Sequence, residues 1–168
     1  MGSENHIWVQ LPPIANQHIF FCAIYNPPER SPYYDDLFFE KMEWEINTLA
    51  CVNKNCSFIL AGDFNARTGQ LCDFVYHQDN NDLGLSERTI DIERYSIDTV
   101  INNNGKKLIE LCRSANLKIC NGRYAPKDDT GSFTFIAPTG QSVVDYIKAS
   151  AYLIDNNVIP TFSLKRFI

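Results

Sequence analysis

Apolar residues in this chain come in short blocks separated by turn-forming residues, and the period of each block assigns its element. Residues 18–25 (His-Ile-Phe-Phe-Cys-Ala-Ile-Tyr) are almost wholly apolar and are stopped by Asn26-Pro27-Pro28. A run of that length reads as a buried strand. Residues 6–11 predict a shorter strand before it, closed by Pro12-Pro13. Over 35–51 the apolar positions Leu37, Phe38, Met42, Ile46 and Leu49 have helical spacing, and Pro32 suits the approach to a helix start. Residues 57–61 are again apolar and too short for a helix, which makes them a second buried strand.

Farther along, residues 71–98 form a long polar stretch that includes Asp79-Asn80-Asn81-Asp82. A loop of that length inside a compact domain is usually functional or disordered. Residues 102–116 predict a helix capped by Asn102 or Asn103, with Leu108, Ile109, Leu111 and Cys112 facing inward. Residues 117–120 read as a strand followed by a turn at Asn121-Gly122. Two strands, 131–136 and 141–148, are expected to form a hairpin through Pro138-Thr139-Gly140, and 158–162 a last strand. Strands outnumber helices, several strands are apolar on both faces, and helices intervene. The predicted class is therefore mixed α/β, one domain over residues 1–168 with no linker or internal repeat.

Composition narrows the function classes. A hydrophobic fraction of 45% and a charged fraction of 21% belong to a globular chain, and 168 residues suffice for a real core. No apolar run approaches the roughly 20 residues that cross a bilayer. The first residues carry no basic segment leading into an apolar one, so neither a membrane partner nor a secretory route is expected. Six cysteines lack zinc-site spacing and lie mostly in apolar contexts, which fits free thiols in an intracellular compartment, nuclear or cytoplasmic. The net charge of −5 argues against coating nucleic acid nonspecifically, but not against an enzyme that gathers carboxylates around a divalent cation.

The candidate chemistry centres on the end of the strand at 57–61, where the chain continues as Gly62-Asp63-Phe64-Asn65. Gly62 marks a close backbone approach or a bend. Asp63 and Asn65 are two apart, so in an extended chain both point to one side. A carboxylate and a carboxamide presented together suit the orientation of a water and a phosphoryl oxygen; the same residues equally favour an Asx-type turn. Asp145 lies within the apolar run 142–147, where a lone carboxylate costs several kcal/mol unless it is paired, hydrogen-bonded or near a cation. Tyr25 closes its buried strand, a position that ordinary core filler also occupies. Thr134 reads as a β-branched strand residue rather than a catalytic donor.

Several segments, taken in order, resemble the endonuclease/exonuclease/phosphatase superfamily: Ile24-Tyr25-Asn26-Pro27-Pro28, Gly62-Asp63-Phe64-Asn65-Ala66-Arg67-Thr68-Gly69, the helical segment from Asn103 to Cys112, Asn121-Gly122-Arg123, and Gly140-Gln141-Ser142-Val143-Val144-Asp145-Tyr146-Ile147. Within that superfamily the chain most resembles the apurinic-like endonuclease domains of non-LTR (LINE-type) retrotransposons and their domesticated relatives. The resemblance implies a four-layer α/β/β/α sandwich, DNase I-like, with the active site where strand ends meet. It also implies phosphodiester hydrolysis by activated water, with DNA as the substrate class and Mg²⁺ or Mn²⁺ stabilising charge on the phosphate. Carried over residue by residue, Asp63 would activate the water, Asn65 would hold it and the phosphate, and Tyr25 would donate to a phosphate oxygen. Asp145 would orient a histidine, and Asp63 with Asn65 would lie on the metal side.

The chain also departs from that pattern. The family's opening strands, with the Glu that is its principal metal ligand, have no counterpart here, and the closing Ser-Asp-His is replaced by Phe162-Ser163-Leu164-Lys165. The expectation is a domain lacking its N-terminal strands and C-terminal Asp-His segment, with weak or no activity and an exposed apolar sheet face. A noncatalytic remnant that binds nucleic acid or a protein is one alternative. A phosphatase of the same fold is another, because function lives in the site and its loops.

Overall fold

The computed structural model describes residues 2–3, 5–14, 16–75, 94–123, 132–156 and 158. Its elements run β1 (Gly2–Ser3), β2 (His6–Ile14), β3 (Gln17–Tyr25), α1 (Phe38–Val52), β4 (Cys56–Asp63), α2 (Asn103–Ser114), β5 (Leu117–Ile119), β6 (Phe135–Ala137), β7 (Gly140–Ser142), β8 (Asp145–Ser150) and α3 (Ala151–Asp155). Six strands form one sheet in the order β1-β2-β3-β4-β8-β5, and β6 and β7 form a separate two-stranded hairpin. The β3–β4 pair is parallel, as a strand–helix–strand crossover requires, and the other pairs are antiparallel. The class is mixed α/β.

Side-chain alternation gives the sheet two unlike faces. One face, with Phe20, Cys22 and Ile24 of β3, Phe58 and Leu60 of β4 and Tyr146 of β8, is covered by Phe39, Met42 and Ile46 of α1 and by Leu108, Leu111 and Cys112 of α2. On the other face α3 lays Leu153 and Ile154 over Ile19 and Ala149, with Leu11, Ile59 and Ile147 partly buried beside them. Toward the far end of that face Ile7 and Val9 remain 60% and 47% exposed.

Several expectations need correction. Pro12-Pro13 does not close the strand expected over 6–11: β2 continues to Ile14 through a register shift between Leu11 and Ile14, the kind of irregularity at which a sheet tolerates proline. Leu37 caps α1 and is 57% exposed, and Phe39 takes its place in the core. The run 141–148 is not one strand. It breaks at Val143-Val144, so that β7 pairs in the hairpin while β8 enters the main sheet between β4 and β5. Apolar character is common to both halves, and only long-range pairing separates them. The helix α3 has no counterpart in the sequence reading. The middle of the 71–98 stretch and all but Val158 of the strand expected at 158–162 lie outside the described residues.

Candidate active site

Tyr25 ends β3, Asp63 ends β4 and Asp145 begins β8. Asp63 is the register partner of Tyr25 on one side and of Asp145 on the other. Register partners project to the same face of a sheet, so the three side chains form one row at a single sheet end. They lie on the face away from α1 and α2, continuing the line of Ile59 and Ile147. Tyr25 is exposed, and both carboxylates are half-buried. Burial raises the Asp63 carboxyl above its ordinary value and the facing Asp145 adds to the rise, while the backbone and side chain of Asn65 work against it.

Asp145 therefore does not sit inside an apolar strand, as the sequence implied. It is the first residue of β8, with part of its side chain open to water. Its backbone N–H and that of Val144 both donate to Thr134 Oγ1 at 3.1 Å. Its carbonyl accepts from Asn121 Nδ2 at 3.0 Å, and Asn121 Oδ1 accepts from Ile147 N–H at 3.0 Å. Thr134, set aside above as a strand residue, and Asn121, read only as a turn, thus fix the start of β8.

Asn65 does not share the row through an extended backbone. It lies past the end of β4 with φ of 44°, in the left-handed region, and its N–H donates to Asp63 Oδ1 at 2.8 Å. This is the Asx-type turn that Gly-Asp-Phe-Asn also allows. The period-two argument fails here because the chain is no longer extended at Phe64-Asn65. The Asn65 amide group donates to the Asn26 carbonyl at 2.8 Å.

Three more asparagines hold this turn. Buried Asn26 donates its N–H to the Asp63 carbonyl at 2.8 Å and its Nδ2 to the Phe64 carbonyl at 3.0 Å. Asn102 caps α2 by accepting from Gly105 N–H at 2.7 Å, accepts also from Arg67 N–H at 2.8 Å, and donates to the Asn65 carbonyl at 3.0 Å. Asn104 adds a 3.4 Å bond to that carbonyl and accepts from Tyr34 Oη at 2.9 Å. Two glycines make the approach possible. A Cβ on Gly105 would stand 1.9 Å from the Arg67 carbonyl oxygen, and one on Gly62, at φ of 142°, 1.9 Å from that of Ile24. The sequence reveals Asn102 as a cap but not as a strut beneath Asn65, because the bond to Asn65 spans 37 positions.

No described histidine stands by Asp145. His6 contacts Glu45 Oε2 at 2.7 Å, and His18 pairs with Cys56 at the opposite end of β3 and β4. His77 lies outside the described residues. Among the described residues no group of three or more His, Cys, Asp or Glu is gathered to hold a metal. Mg²⁺ is commonly held by one or two carboxylates with water and phosphate completing its shell, and the Asp63–Asp145 pair supplies that minimum. All six cysteines are free. No helix among the described residues is long and apolar enough to cross a membrane. No protein-family model matches this chain, and neither does any curated protein.

Proposed function

We propose that this chain is a metal-dependent phosphodiesterase of endonuclease type, of retroelement origin, acting slowly on DNA at the Tyr25–Asp63–Asp145 row. The observation that carries the reading is the pairing of Asp63 with Asp145. Like charges directly opposite one another in a sheet are destabilising. A strand end that keeps two carboxylates in one row gains when a cation or a transferable proton occupies it. In this reading Asp63, its proton affinity raised, takes the proton of the attacking water, and Tyr25 donates to a phosphate oxygen. Asn65 keeps the turn in place and presents its carboxamide oxygen. Asp63 and Asp145 would hold Mg²⁺ or Mn²⁺, which would supply charge neutralisation at the phosphate. The four-layer sandwich belongs to the same proposal: a second sheet would pack against the face that carries Ile7, Val9 and Tyr25.

The test is plasmid nicking by the purified chain with Mg²⁺, beside Asp63→Ala and an EDTA control. Slow nicking that needs the metal and disappears in the variant is the expected result. A folded protein that never nicks overturns it.

Two observations favour a noncatalytic second reading. The Asn65 amide is already engaged with Asn26, and no described histidine faces Asp145. Under that reading, DNA binding would weaken with salt and show no cleavage, by contacts to phosphate alone.

A further inference from the structure

Lys148 is 0% exposed, and its Nζ makes no hydrogen bond among the described residues. It lies on the core face of β8, in a register row that runs Cys22, Leu60, Lys148, Ile119 across four strands. The amine rests 3.0 Å from the centre of the Phe64 ring, and the Tyr146 ring meets Phe64 edge-on at 6.3 Å. Phe64 is itself fully buried. It is also the residue between Asp63 and Asn65, so its backbone belongs to the turn that ends the candidate row, and its N–H donates to the Val144 carbonyl just before Asp145 at 2.9 Å. The amine therefore touches, through one ring, the segment that joins both carboxylates.

The groups around Lys148 do not neutralise it. From β3 it meets Cys22 and from α2 Cys112, both thiols pushed up to about 12 by burial and so uncharged at neutral pH. From α1, Glu45 bonds to His6 and Trp8. β4 contributes Leu60, the turn after β4 contributes Phe64, and the adjacent β5 residue is Ile119. Lys118 of β5 is paired with Asp155 of α3. Asp63 and Asp145 lie on the opposite sheet face.

We propose that Lys148 is a positioning residue: its protonation state sets how the Phe64 ring packs, and through Phe64 the placement of the Asp63–Asn65 turn. As an ammonium it is held by the face of the ring, the one group offered to a cation among the described residues. As a neutral amine it needs no such contact, and the ring is free to repack with Tyr146. Burial without a partner lowers the Lys148 amine to about 7, so both forms are populated near neutral pH. The consequence for catalysis rests on the function proposed above; the coupling of Lys148 to the turn does not.

The experiment is an NMR titration of the whole chain with 13C-labelled lysine and 15N-labelled backbone from pH 5.5 to 9. The expected result is a Lys148 Cε resonance that titrates near neutrality and Phe64 and Asn65 amide shifts with the same midpoint. That common midpoint must survive in Asp63→Asn, which removes the neighbouring carboxyl, and vanish from the amides in Lys148→Met. A Lys148 that titrates at its ordinary value overturns the proposal. So do Phe64 and Asn65 amides that stay still, or that move unchanged in Lys148→Met. Since Lys148→Met replaces a buried amine with an apolar chain of similar length, it is expected to fold; if it does not, wild type and Asp63→Asn still decide. Should the wild type nick DNA, its pH profile in the neutral range should flatten in Lys148→Met; absent nicking leaves the titration result standing.

Discussion

Asp63 and Asp145 are register partners on adjacent antiparallel strands, the last residue of one facing the first of the next. Directly opposed Cβ atoms in such a pair are about 5 Å apart. Burial first, and then the facing Asp145, raise the proton affinity of Asp63. Two consequences can be separated by one substitution. Asp63→Asn retains the Oδ1 that accepts from Asn65 but removes the repulsion.

The first prediction is that Asp63→Asn loses nicking while unfolding at a slightly higher temperature than the wild type at pH 7. The sign follows from linkage: a carboxyl raised in the fold binds its proton more tightly there than when unfolded. Its cost is absent below the ordinary value of 3.8 and grows as pH rises from there through the raised value. The gain in Asp63→Asn should thus be present at pH 7 and disappear at pH 3. Melting curves at the two pH values check it, and a variant less stable than wild type at pH 7 contradicts it.

A second prediction concerns Asn102, which joins α2 to the turn by three hydrogen bonds. Asn102→Ala removes an N-cap and leaves the Arg67 N–H and the Asn65 carbonyl without that partner. The cap alone is worth about 1 kcal/mol and an orphaned buried group about 1–3 kcal/mol. Urea denaturation should show a loss of about 2 kcal/mol or more. A loss confined to a few tenths would mean that water replaces the side chain.

Asp73 and Arg123 form an ion pair with side chains 1% exposed on each partner, and Asp73 Oδ2 also accepts from Ile119 N–H at 2.6 Å. Arg123 Nε also donates to the Ile119 carbonyl at 2.9 Å. Removing one member therefore leaves the other its backbone bond to Ile119 but takes away the opposite charge, and breaking a buried pair typically costs about 3–5 kcal/mol. Asp73→Ala and Arg123→Met should each lose that much in chemical denaturation. The double variant should lose clearly less than the two losses added, as partners in one network do.

Stability itself should rise between pH 7 and 9. Lys148, lowered to about 7, binds its proton more weakly in the fold than in the unfolded chain. Its cost is complete below that value and is relieved as pH climbs toward the ordinary 10.5, by at most about 1.4 kcal/mol per pH unit. Cys22, Cys112 and Cys120, pushed up to about 12, act the other way above their ordinary 9.0, because only the unfolded chain ionises there. Denaturation midpoints should therefore climb from pH 7 to 9 and then fall. Lys148→Met should remove the climb and keep the fall.

A final prediction addresses the open sheet face. Ile7 and Val9 are largely exposed neighbours on the same side of β2. An uncovered apolar strand pair near a sheet edge favours association between chains. Ile7→Lys with Val9→Lys should reduce light scattering at high protein concentration with little change in melting temperature. Unchanged scattering would place the sticky surface elsewhere.

Local chemistry made much of this molecule legible from its residues alone. The helix expected over 102–116, with its cap at Asn102 or Asn103 and its inward Leu108, Ile109, Leu111 and Cys112, and the buried strands expected over 18–25 and 57–61 follow from periodicity, capping and chain-breaking residues. The structure holds them as α2, β3 and β4, with β4 running two residues farther, to Asp63. Those signals act within a few positions. What the tertiary structure decided is everything that depends on partners distant in the chain. It split the apolar run 141–148 between a hairpin and the central sheet. It turned Asn65 out of the strand's alternation and made Asn102 and Asn121 props for residues far from them. It also aligned Tyr25, Asp63 and Asp145, separated by 38 and 82 positions, in a single row. An apolar block records that it will be buried; which strand it pairs with, and in what register, is chosen by the packing of all the blocks together.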